Sequence, residues 1–348
     1  MSKKWSGGII SKSPVAPTGP YQDGVASGVW TIPQMDYWLK QNLWPIAGNF
    51  LPRGLFAGGN IANGGVYTSA INYVTITTLG NSTSFGTLSV IKGALAACSS
   101  STRSVFGGGM TTSSVYLSTL EYVSINTTGN STAFGNLTDV TLELTSVSNS
   151  IRGLFAGGIA GVSAVRTNVI TYITINTTGN STSFGQLTQS PNGLAGCSST
   201  TRALFGGGYA QGIGTSSVIS YVTIATTGNA TSFGNLTLVG QYLSSCSSAT
   251  RGLFGGGGDA SETSVISYVT IATTGNAISF GNLTATANGL AACSSTVTGL
   301  FAAGQSSGTR VNTIAYVTIA TTGNAVSFGQ LNNTPIYLTS CSNSHGGL

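Results

Sequence analysis

The sequence predicts an all-β protein: a six-bladed β-propeller with four-stranded blades, closed into a ring by its C-terminal strand. Three observations predict this architecture. They are six copies of one repeat, four strand-like segments in each copy, and the phase in which the first and last copies begin and end. An extended arm with a short helix precedes the ring. The predicted domains are therefore residues 1–49, the arm, and residues 50–348, the propeller.

The composition agrees with a β-rich chain. Charged residues make up 5% of the 348 residues, against about 25% in typical proteins, and 50 residues are glycine. The net charge of +5 reflects few acids rather than clustered bases, so no nucleic-acid site is expected. No apolar run approaches the roughly 18 residues that cross a membrane, and the first residues make a poor signal peptide. We therefore expect no membrane insertion, and assembly in cytoplasm.

The repeat is anchored by two phenylalanines and a tyrosine. "RGLFAGG" and its variants recur at intervals of 47 to 50 residues. The first anchors are Phe56, Phe106, Phe155, Phe205, Phe254 and Phe301, and the second, in "SFG" or "AFG", are Phe85, Phe134, Phe184, Phe233, Phe280 and Phe328. The tyrosines of "YVTI" lie between them. Such self-similarity at a fixed period predicts a repeat architecture.

Each copy contains four short strands. "YVTI" alternates with period two, "TTGN" supplies a turn, and "SFGNL", "LAACSS" and "GLFGGG" supply the other strands. Four strands in about 49 residues is the size of a propeller blade.

The phase of the copies predicts ring closure. The first copy begins at "PRGLFAGG" without the strand that precedes it elsewhere, and the segment at 337–344, "YLTSCSNS", supplies that strand. Pairing the two leaves no open edge between the first and last copies.

The spacing of "LFGGG", "SYVTI" and "SFGNL" over residues 50–344 resembles the kelch repeat, with Phe where kelch units usually place Trp. The resemblance implies a disc with a central channel, "LAACSS" strands innermost and "SFGNL" strands outermost. It implies no particular activity.

Comparison of the copies divides the loops into two groups. "SSTR" and "TTGN" hardly vary, whereas the loops after "GGG" and after "FGxL" vary freely. Successive loops of an antiparallel blade alternate between two faces, so the variable loops share one face. We expect recognition there. Its candidate residues are Tyr67, Met110, Tyr116, Arg166, Tyr209, Asp259 and Arg310. The alternative is relaxed drift of the loops.

The other repeated polar residues indicate structure rather than catalysis. Five cysteines occupy one position per copy and predict buried, reduced thiols. The repeated arginines, such as Arg53 and Arg103, are expected to bond carbonyls of their own "SSTR" loops. Seven scattered acids and one histidine, His345, make no catalytic arrangement, and the "GGG" runs lead into strands rather than helices. The predictions are no enzyme, no metal and no cofactor.

The N-terminal segment differs from the repeats in composition. It holds every tryptophan and five of the eight prolines. "SKSPVAPTGPYQDG" predicts an extended arm, and "TIPQMDYWLKQNLW" a short helix with Pro33 in its first turn. Trp and Met are enriched at buried interfaces, which favours docking onto a partner. The candidate docking residues are Trp5, Trp30, Met35, Trp38, Leu39 and Trp44. The alternative is that the helix caps its own propeller.

Residues 6–45 also resemble the N-terminal segment of structural proteins of tailed bacteriophages, in "GVWT", an aromatic-rich helix and "LWP". The resemblance implies a virion protein: a tail fibre, a tail-associated protein or a capsid-decorating protein. Residues 1–48 would bind other virion proteins, and the propeller would face outward for adhesion to a host-surface receptor or glycan. The alternatives are a cellular propeller scaffold that binds a peptide or carbohydrate and, more weakly supported, an enzyme.

Overall fold

The computed structural model describes Pro33, residues 51–161 and residues 163–348. The prediction of an all-β protein is confirmed, since the described residues from 51 onward form strands, turns and loops without a helix. By its contacts the chain divides into Met1–Leu51 and Pro52–Leu348, and the strands that the structure describes lie in the second region. Pro33 is helical and exposed. The six candidate docking residues of the arm lie outside the described residues.

Six four-stranded antiparallel sheets form the body of the protein, and each is called a unit here. Strands are numbered along the chain, and each sheet is given from its first to its fourth strand. Unit 1 is β34 (Thr339–Ser342), β1 (Arg53–Ala57), β4 (Ala70–Thr75) and β5 (Thr83–Thr87). Unit 2 is β6 (Ala96–Ser99), β7 (Arg103–Gly107), β8 (Thr119–Ser124) and β9 (Thr132–Asn136). Unit 3 is β11 (Thr145–Ser148), β12 (Arg152–Ala156), β15 (Val169–Thr174) and β16 (Thr182–Gln186).

The remaining units repeat this order. Unit 4 is β18 (Ala195–Ser198), β19 (Arg202–Gly206), β22 (Val218–Thr223) and β23 (Thr231–Asn235). Unit 5 is β24 (Ser244–Ser247), β25 (Arg251–Gly255), β26 (Thr263–Thr270) and β27 (Ile278–Ala287). Unit 6 is β28 (Ala291–Ser294), β29 (Thr298–Ala302), β32 (Thr313–Thr318) and β33 (Val326–Gln330). The sheets therefore run in the order "LAACSS", "LFGGG", "YVTI" and "SFGNL", with the two edge strands that the resemblance stated above implies.

The loops of each unit emerge at two ends. The constant end holds the loops between first and second strands (100–102 in unit 2) and between third and fourth strands (125–131). The variable end holds the loops between second and third strands (108–118) and the connection to the next unit (137–144). Short strands pair at the variable end: β2 (Asn60–Ala62) with β3 (Val66–Tyr67); β10 (Thr141–Leu142) with β13 (Ile159–Ala160) and β14 (Val165–Arg166); β17 (Pro191–Asn192) with β20 (Tyr209–Ala210) and β21 (Gly214–Thr215); and β30 (Gln305–Ser306) with β31 (Thr309–Arg310). The repeat pattern did not predict these pairs.

The core lies between neighbouring sheets. Each of six hydrophobic clusters joins residues of two units, and the buried Phe of one second strand packs against the sheet before it. Phe106 of unit 2, for example, packs with Leu55 and Phe85 of unit 1, and Phe56 of unit 1 with Leu300 and Phe328 of unit 6. Full burial of such a side chain stabilises the fold by about 1.5–3 kcal/mol. One buried Phe per unit therefore supplies the apolar contact at each junction between units, and no Trp is needed there.

The last strand pairs with the first. β34 lies antiparallel to β1, with Leu55 opposite Cys341 and Phe56 opposite Ser340. The strand missing from the first copy is supplied by residues 339–342, as the phase of the repeats predicts.

Hydrogen bonds between units run through complete cycles. Before each first strand, a backbone N–H donates to the equivalent carbonyl of the preceding unit, at 2.7–3.0 Å, through Ala94, Tyr337, Gly289, Tyr242, Gly193, Glu143 and back to Ala94. At the end of each first strand a serine hydroxyl does the same, through Ser99, Ser342, Ser294, Ser247, Ser198 and Ser148. In both cycles the bonds between units 6 and 1 are equivalent to the others.

The constant turns dock onto the preceding unit. In unit 2, Gly129 N–H donates to the carbonyl of Phe85 (2.9 Å), and Asn130 Oδ1 accepts from Thr87 N–H (3.0 Å). Equivalent bonds recur at all six junctions, including Gly80 to Phe328. Because "TTGN" covers the edge of a fourth strand, its constancy follows from packing. The Asn of each "NST" sequence accepts such a bond, so the recurrence of "NST" is explained by packing and needs no glycan.

The repeated arginines donate to backbone carbonyls, but the prediction that these carbonyls belong to their own "SSTR" loops is wrong. Each guanidinium bonds carbonyls of the next unit's turn rather than its own loop: Arg202 Nη1 donates to Ile271 (3.1 Å) and Ala272 (2.7 Å), about 70 residues away in the sequence. The guanidinium also stacks on the tyrosine of its own sheet, with Arg202 4.7 Å above Tyr221. Arg53, Arg103, Arg152 and Arg251 act in the same way. Five arginines thus join successive units, and Thr298 takes the sixth position.

The five cysteines are free and buried, as predicted. Four of them pack against a glycine in the next unit's second strand, as Cys293 packs against Gly54 and Cys98 against Gly153. Burial raises the pKa of every one of these thiols. The thiols are therefore neutral packing groups between units.

Candidate binding site at the variable end

Chemically distinctive side chains gather at the variable end. Of the carboxylates that the structure describes, four lie there, and the fifth is buried in an ion pair. The four are Asp139, Glu143, Asp259 and Glu262. Every described tyrosine outside the "YVTI" position also lies there: Tyr67, Tyr116, Tyr209, Tyr242 and Tyr337. The five repeated arginines lie at the constant end. The two ends therefore differ in charge as well as in sequence.

The structure brings some of the predicted recognition residues into contact. Arg166 lies 4.5 Å above the ring of Tyr209 and donates to Gln211 Oε1 (3.2 Å). Met110 bridges Tyr116 and Gly93 through backbone bonds. Tyr67 lies near Arg310; burial raises the pKa of the Tyr67 phenol, and the charge of the guanidinium offsets part of that rise.

Asp259 lies apart from these pairs. It is exposed and accepts a bond from Thr215 Oγ1 (2.5 Å). The predicted residues thus surround the variable end as separate pairs rather than one cluster.

A cavity of about 130 Å³ opens among the six positions that form the backbone cycle at this end. These positions are Ala94, Glu143, Gly193, Tyr242, Gly289 and Tyr337, and all have positive φ, between 54° and 62°. Glycine suits that conformation, and it also leaves room for a neighbour. A Cβ on Gly193 would lie 2.9 Å from the ring of Tyr242, and one on Gly289 would lie 3.2 Å from that of Tyr337. Each tyrosine thus lies over the glycine of the preceding unit.

Glu143 is the acidic centre of the cavity mouth. Its Oε2 accepts from Tyr242 Oη (3.1 Å) and from Asn192 Nδ2 (2.5 Å). Arg166 Nε donates in turn to Asn192 Oδ1 (2.5 Å), so the guanidinium orients the amide that holds the carboxylate. Burial, followed by the charge of Glu143, raises the pKa of Tyr242, which keeps its hydroxyl protonated as a donor.

Tyr337 completes the lining of the cavity, and Tyr67 lies beside it, near Tyr337. The ring of Tyr337 lies 5.0 Å from that of Tyr242, at an interplanar angle of 59°. Burial raises the pKa of both Tyr67 and Tyr337, with a smaller contribution from Glu143. Arg310 reaches from unit 6 to the carbonyls of Asn60 and Ala62 in unit 1, which fixes the loop that carries Tyr67. The mouth therefore presents aromatic faces, neutral hydroxyls and one carboxylate.

Residues 345–348 cover the constant end of the first strands. The imidazole of His345 lies 3.2 Å from Ser148 Oγ and from the Ser99 carbonyl, and Gly346 N–H donates to Ser247 (3.0 Å). A cavity of about 60 Å³ remains beside His345. Desolvation lowers the pKa of His345 to about 4, so the ring is neutral at pH 7.

Sequence reasoning missed Glu143, Asn192, Tyr242 and Tyr337. The available signal was the position two residues before each first strand, which is Gly or Ala in three copies and Glu or Tyr in the others. Among residues 51–161 and 163–348, no group of His, Cys, Asp and Glu side chains could hold a metal ion. In the same part of the chain, no helix has the length and apolarity needed to span a membrane.

No protein-family model matches this chain, and no curated protein is significantly similar to it.

Proposed function

We propose that residues 50–348 form a closed six-bladed β-propeller and that each unit is one blade. Three observations support this architecture: the six equivalent four-stranded sheets, the pairing of β34 with β1, and the hydrogen-bond cycles that include the junction of units 6 and 1. The first strands of successive sheets contact one another in the same cyclic order. They would line the central channel.

The propeller acts as a non-enzymatic binding module, and its variable end carries recognition. The observation that supports this function is the contrast between the two ends. The constant loops are occupied by contacts between units, and residues 345–348 cover that end of the first strands. The variable end has divergent loops, a cavity and side chains with unused polar atoms. Binding at the divergent end explains why only those loops differ.

The module is a structural protein of a phage virion, either a tail fibre, a tail-associated or a capsid-decorating protein. The sequence of residues 6–45 supports this placement by its resemblance to phage structural proteins. Residues 1–48 dock onto other virion proteins, and the variable end contacts a host-surface receptor or glycan. The described chain enters β1 at the constant end, through Pro52 and Arg53.

Particles carrying variants of this chain test the proposal. Deletion of residues 1–48 should give a folded propeller that is missing from purified particles. The double substitution Arg166→Ala and Tyr209→Ala should leave incorporation unchanged but reduce adsorption to host cells at least tenfold. The matched control is Ile151→Ser and Val297→Ser, which changes two exposed residues of the constant end and should have no effect on adsorption.

Two outcomes would contradict the proposal. Absence of the unaltered chain from every purified particle would refute the virion placement and favour the cellular scaffold. Undiminished adsorption by the Arg166 and Tyr209 variant would refute recognition by the variable loops.

A further inference from the structure

The cavity mouth has a composition that selects a chemical class of ligand. We propose that Glu143, Tyr242 and Tyr337, which line the central cavity, bind one ring of a neutral saccharide at its opening, with Tyr67 beside them. This inference rests on the proposed function, because it names the ligand that the variable end would recognise. It adds a defined position at the centre of that end, which Asn192 connects to Arg166 by hydrogen bonds.

The aromatic surfaces supply the first argument. The rings of Tyr242 and Tyr337 each lie over a glycine, which places both at the rim of the mouth rather than in the core. They are partly buried and pack against each other at an angle of 59°, so they hold each other in place and expose a continuous aromatic surface. A pyranose ring has an apolar C–H face that packs on such a surface, and a rigid aromatic side chain loses little entropy on binding.

The unused polar atoms supply the second argument. Glu143 Oε2 is occupied by Tyr242 and Asn192, whereas Oε1 accepts no hydrogen bond from any described residue. The hydroxyls of Tyr337 and Tyr67 likewise have no hydrogen-bond partner in the described part of the chain. The mouth thus offers one strong acceptor and two groups that can donate or accept. Adjacent hydroxyls of a sugar, each both donor and acceptor, match this set.

The charges around the mouth disfavour two other classes of ligand. A quaternary ammonium ion would favour an aromatic cage with net negative charge. Here the single carboxylate is accompanied by Arg166 and Arg310, so the local field does not favour a cation. An anion would be repelled by the Glu143 carboxylate at the mouth itself. Arg166 and Arg310 point at other acceptors, since Arg166 bonds Asn192 and Gln211 and Arg310 bonds the carbonyls of Asn60 and Ala62. A neutral polar ligand remains.

Saturation-transfer NMR on the full chain tests the inference, with glucose, galactose, mannose and N-acetylglucosamine as separate probes. At least one sugar should receive saturation and bind with millimolar affinity, which is about −4 kcal/mol. Glu143→Gln should weaken that binding about tenfold, because the amide replaces the acceptor with a mixed group. Tyr337→Phe should weaken it less, because the aromatic face is kept, and Tyr337→Ala should abolish it.

Tyr116→Ala is the matched control, since Tyr116 is a variable-end tyrosine that pairs with Met110 and does not line the cavity. The sugar affinity of this variant should equal that of the unaltered protein. Far-UV circular dichroism establishes that each variant is folded. Saturation of none of the four sugars, or saturation of choline in their place, overturns the inference. So does sugar binding that persists in Glu143→Gln and Tyr337→Ala.

The two proposals fail in different ways. If no sugar binds but the Arg166 and Tyr209 variant still loses adsorption, the saccharide at the mouth is wrong and recognition by the variable end stands. If sugar binds but adsorption is unaffected by every variant, the site exists and the adhesive function is wrong.

Discussion

A buried ion pair between units 1 and 2 gives the sharpest test of how the units are held together. Lys92 Nζ lies 2.6 Å from Glu121 Oε1, and the two side chains are 0% and 2% exposed. The other carboxylate oxygen accepts from Ser89 N–H (2.7 Å) and from Ser131 Oγ. Unit 6 has Ala287 and Ala315 at the equivalent positions, both within one apolar cluster. The chain therefore contains its own charge-free version of this contact.

Removal of either charge alone should be severely destabilising. Lys92→Ala leaves a carboxylate buried without its counter-ion, and Glu121→Ala leaves a buried ammonium group. Each should lower the free energy of unfolding by about 3–5 kcal/mol. The double variant Lys92→Ala and Glu121→Ala reproduces the alanine pair of unit 6 and removes both desolvated charges. It should cost less than either single change, so the coupling energy should reach several kcal/mol.

The pH dependence of unfolding gives a second test of whether the Lys92–Glu121 pair stabilises the fold. Burial alone would raise the pKa of Glu121, but Lys92, Ser131 and the Ser89 amide lower it below its usual range. The pair therefore stabilises the fold above the ordinary carboxyl pKa and loses that contribution as pH falls through the lowered value. In the Lys92→Ala variant the counter-ion is gone, so burial raises the pKa of Glu121. Acidification should therefore reduce the difference in the free energy of unfolding between this variant and the unaltered protein.

Urea unfolding followed by far-UV circular dichroism measures these free energies. Tryptophan fluorescence is unsuitable, because all four tryptophans lie in residues 5–44. A double variant that loses as much stability as the two single variants combined would refute the reasoning, since the charges would then contribute independently.

Three further predictions follow from the junctions between units. The substitution Arg202→Thr copies Thr298 of unit 6 and removes two hydrogen bonds to carbonyls and the stack on Tyr221. It should lower the free energy of unfolding by about 1–2 kcal/mol, and a urea titration that finds no change would contradict this. The five thiols should react with an aromatic disulfide reagent only on unfolding, because burial raises their pKa, to about 12 for Cys246 and Cys341; rapid labelling of the native protein would be inconsistent with their packing. Because the pKa of His345 is lowered to about 4, the stabilising contribution of its neutral ring should be complete above pH 6.5 and should fall between pH 6.5 and 4. His345→Gln should remove this part of the dependence of the thermal unfolding midpoint on pH, and an equal dependence in both proteins would disprove a buried neutral ring.

Local patterns predicted the strands well because each depends on residues close in sequence. The alternation in "YVTI", the turn residues of "TTGN" and the paired phenylalanines are all visible within one copy. The pairing of β34 with β1 was also predictable, since it follows from the phase of the copies. The order of strands within a sheet, by contrast, was expected only from the resemblance to the kelch repeat.

The contacts between copies could not be read in the same way. Arg202 bonds a turn about 70 residues further along the chain, and nothing in "SSTR" identifies that acceptor. Glu143, Asn192 and Tyr242 come together from three copies, up to 99 residues apart, because the backbone cycle brings equivalent positions to one opening. Loop divergence indicated the correct end for Arg166 and Tyr209 but could not indicate the centre of that end.

Native-state hydrogen exchange tests the closed ring most directly, and both the architecture and the binding proposal depend on that ring. The amide of Ala94 bonds the Tyr337 carbonyl, and this bond survives only while β34 stays paired with β1. The amides of Glu143, Gly193, Tyr242, Gly289 and Tyr337 form the rest of the cycle. A closed ring predicts that all six exchange with one opening free energy, equal to that of global unfolding. A much lower protection of Ala94 than of the other five would mean that the ring opens at β34, and it would contradict the account.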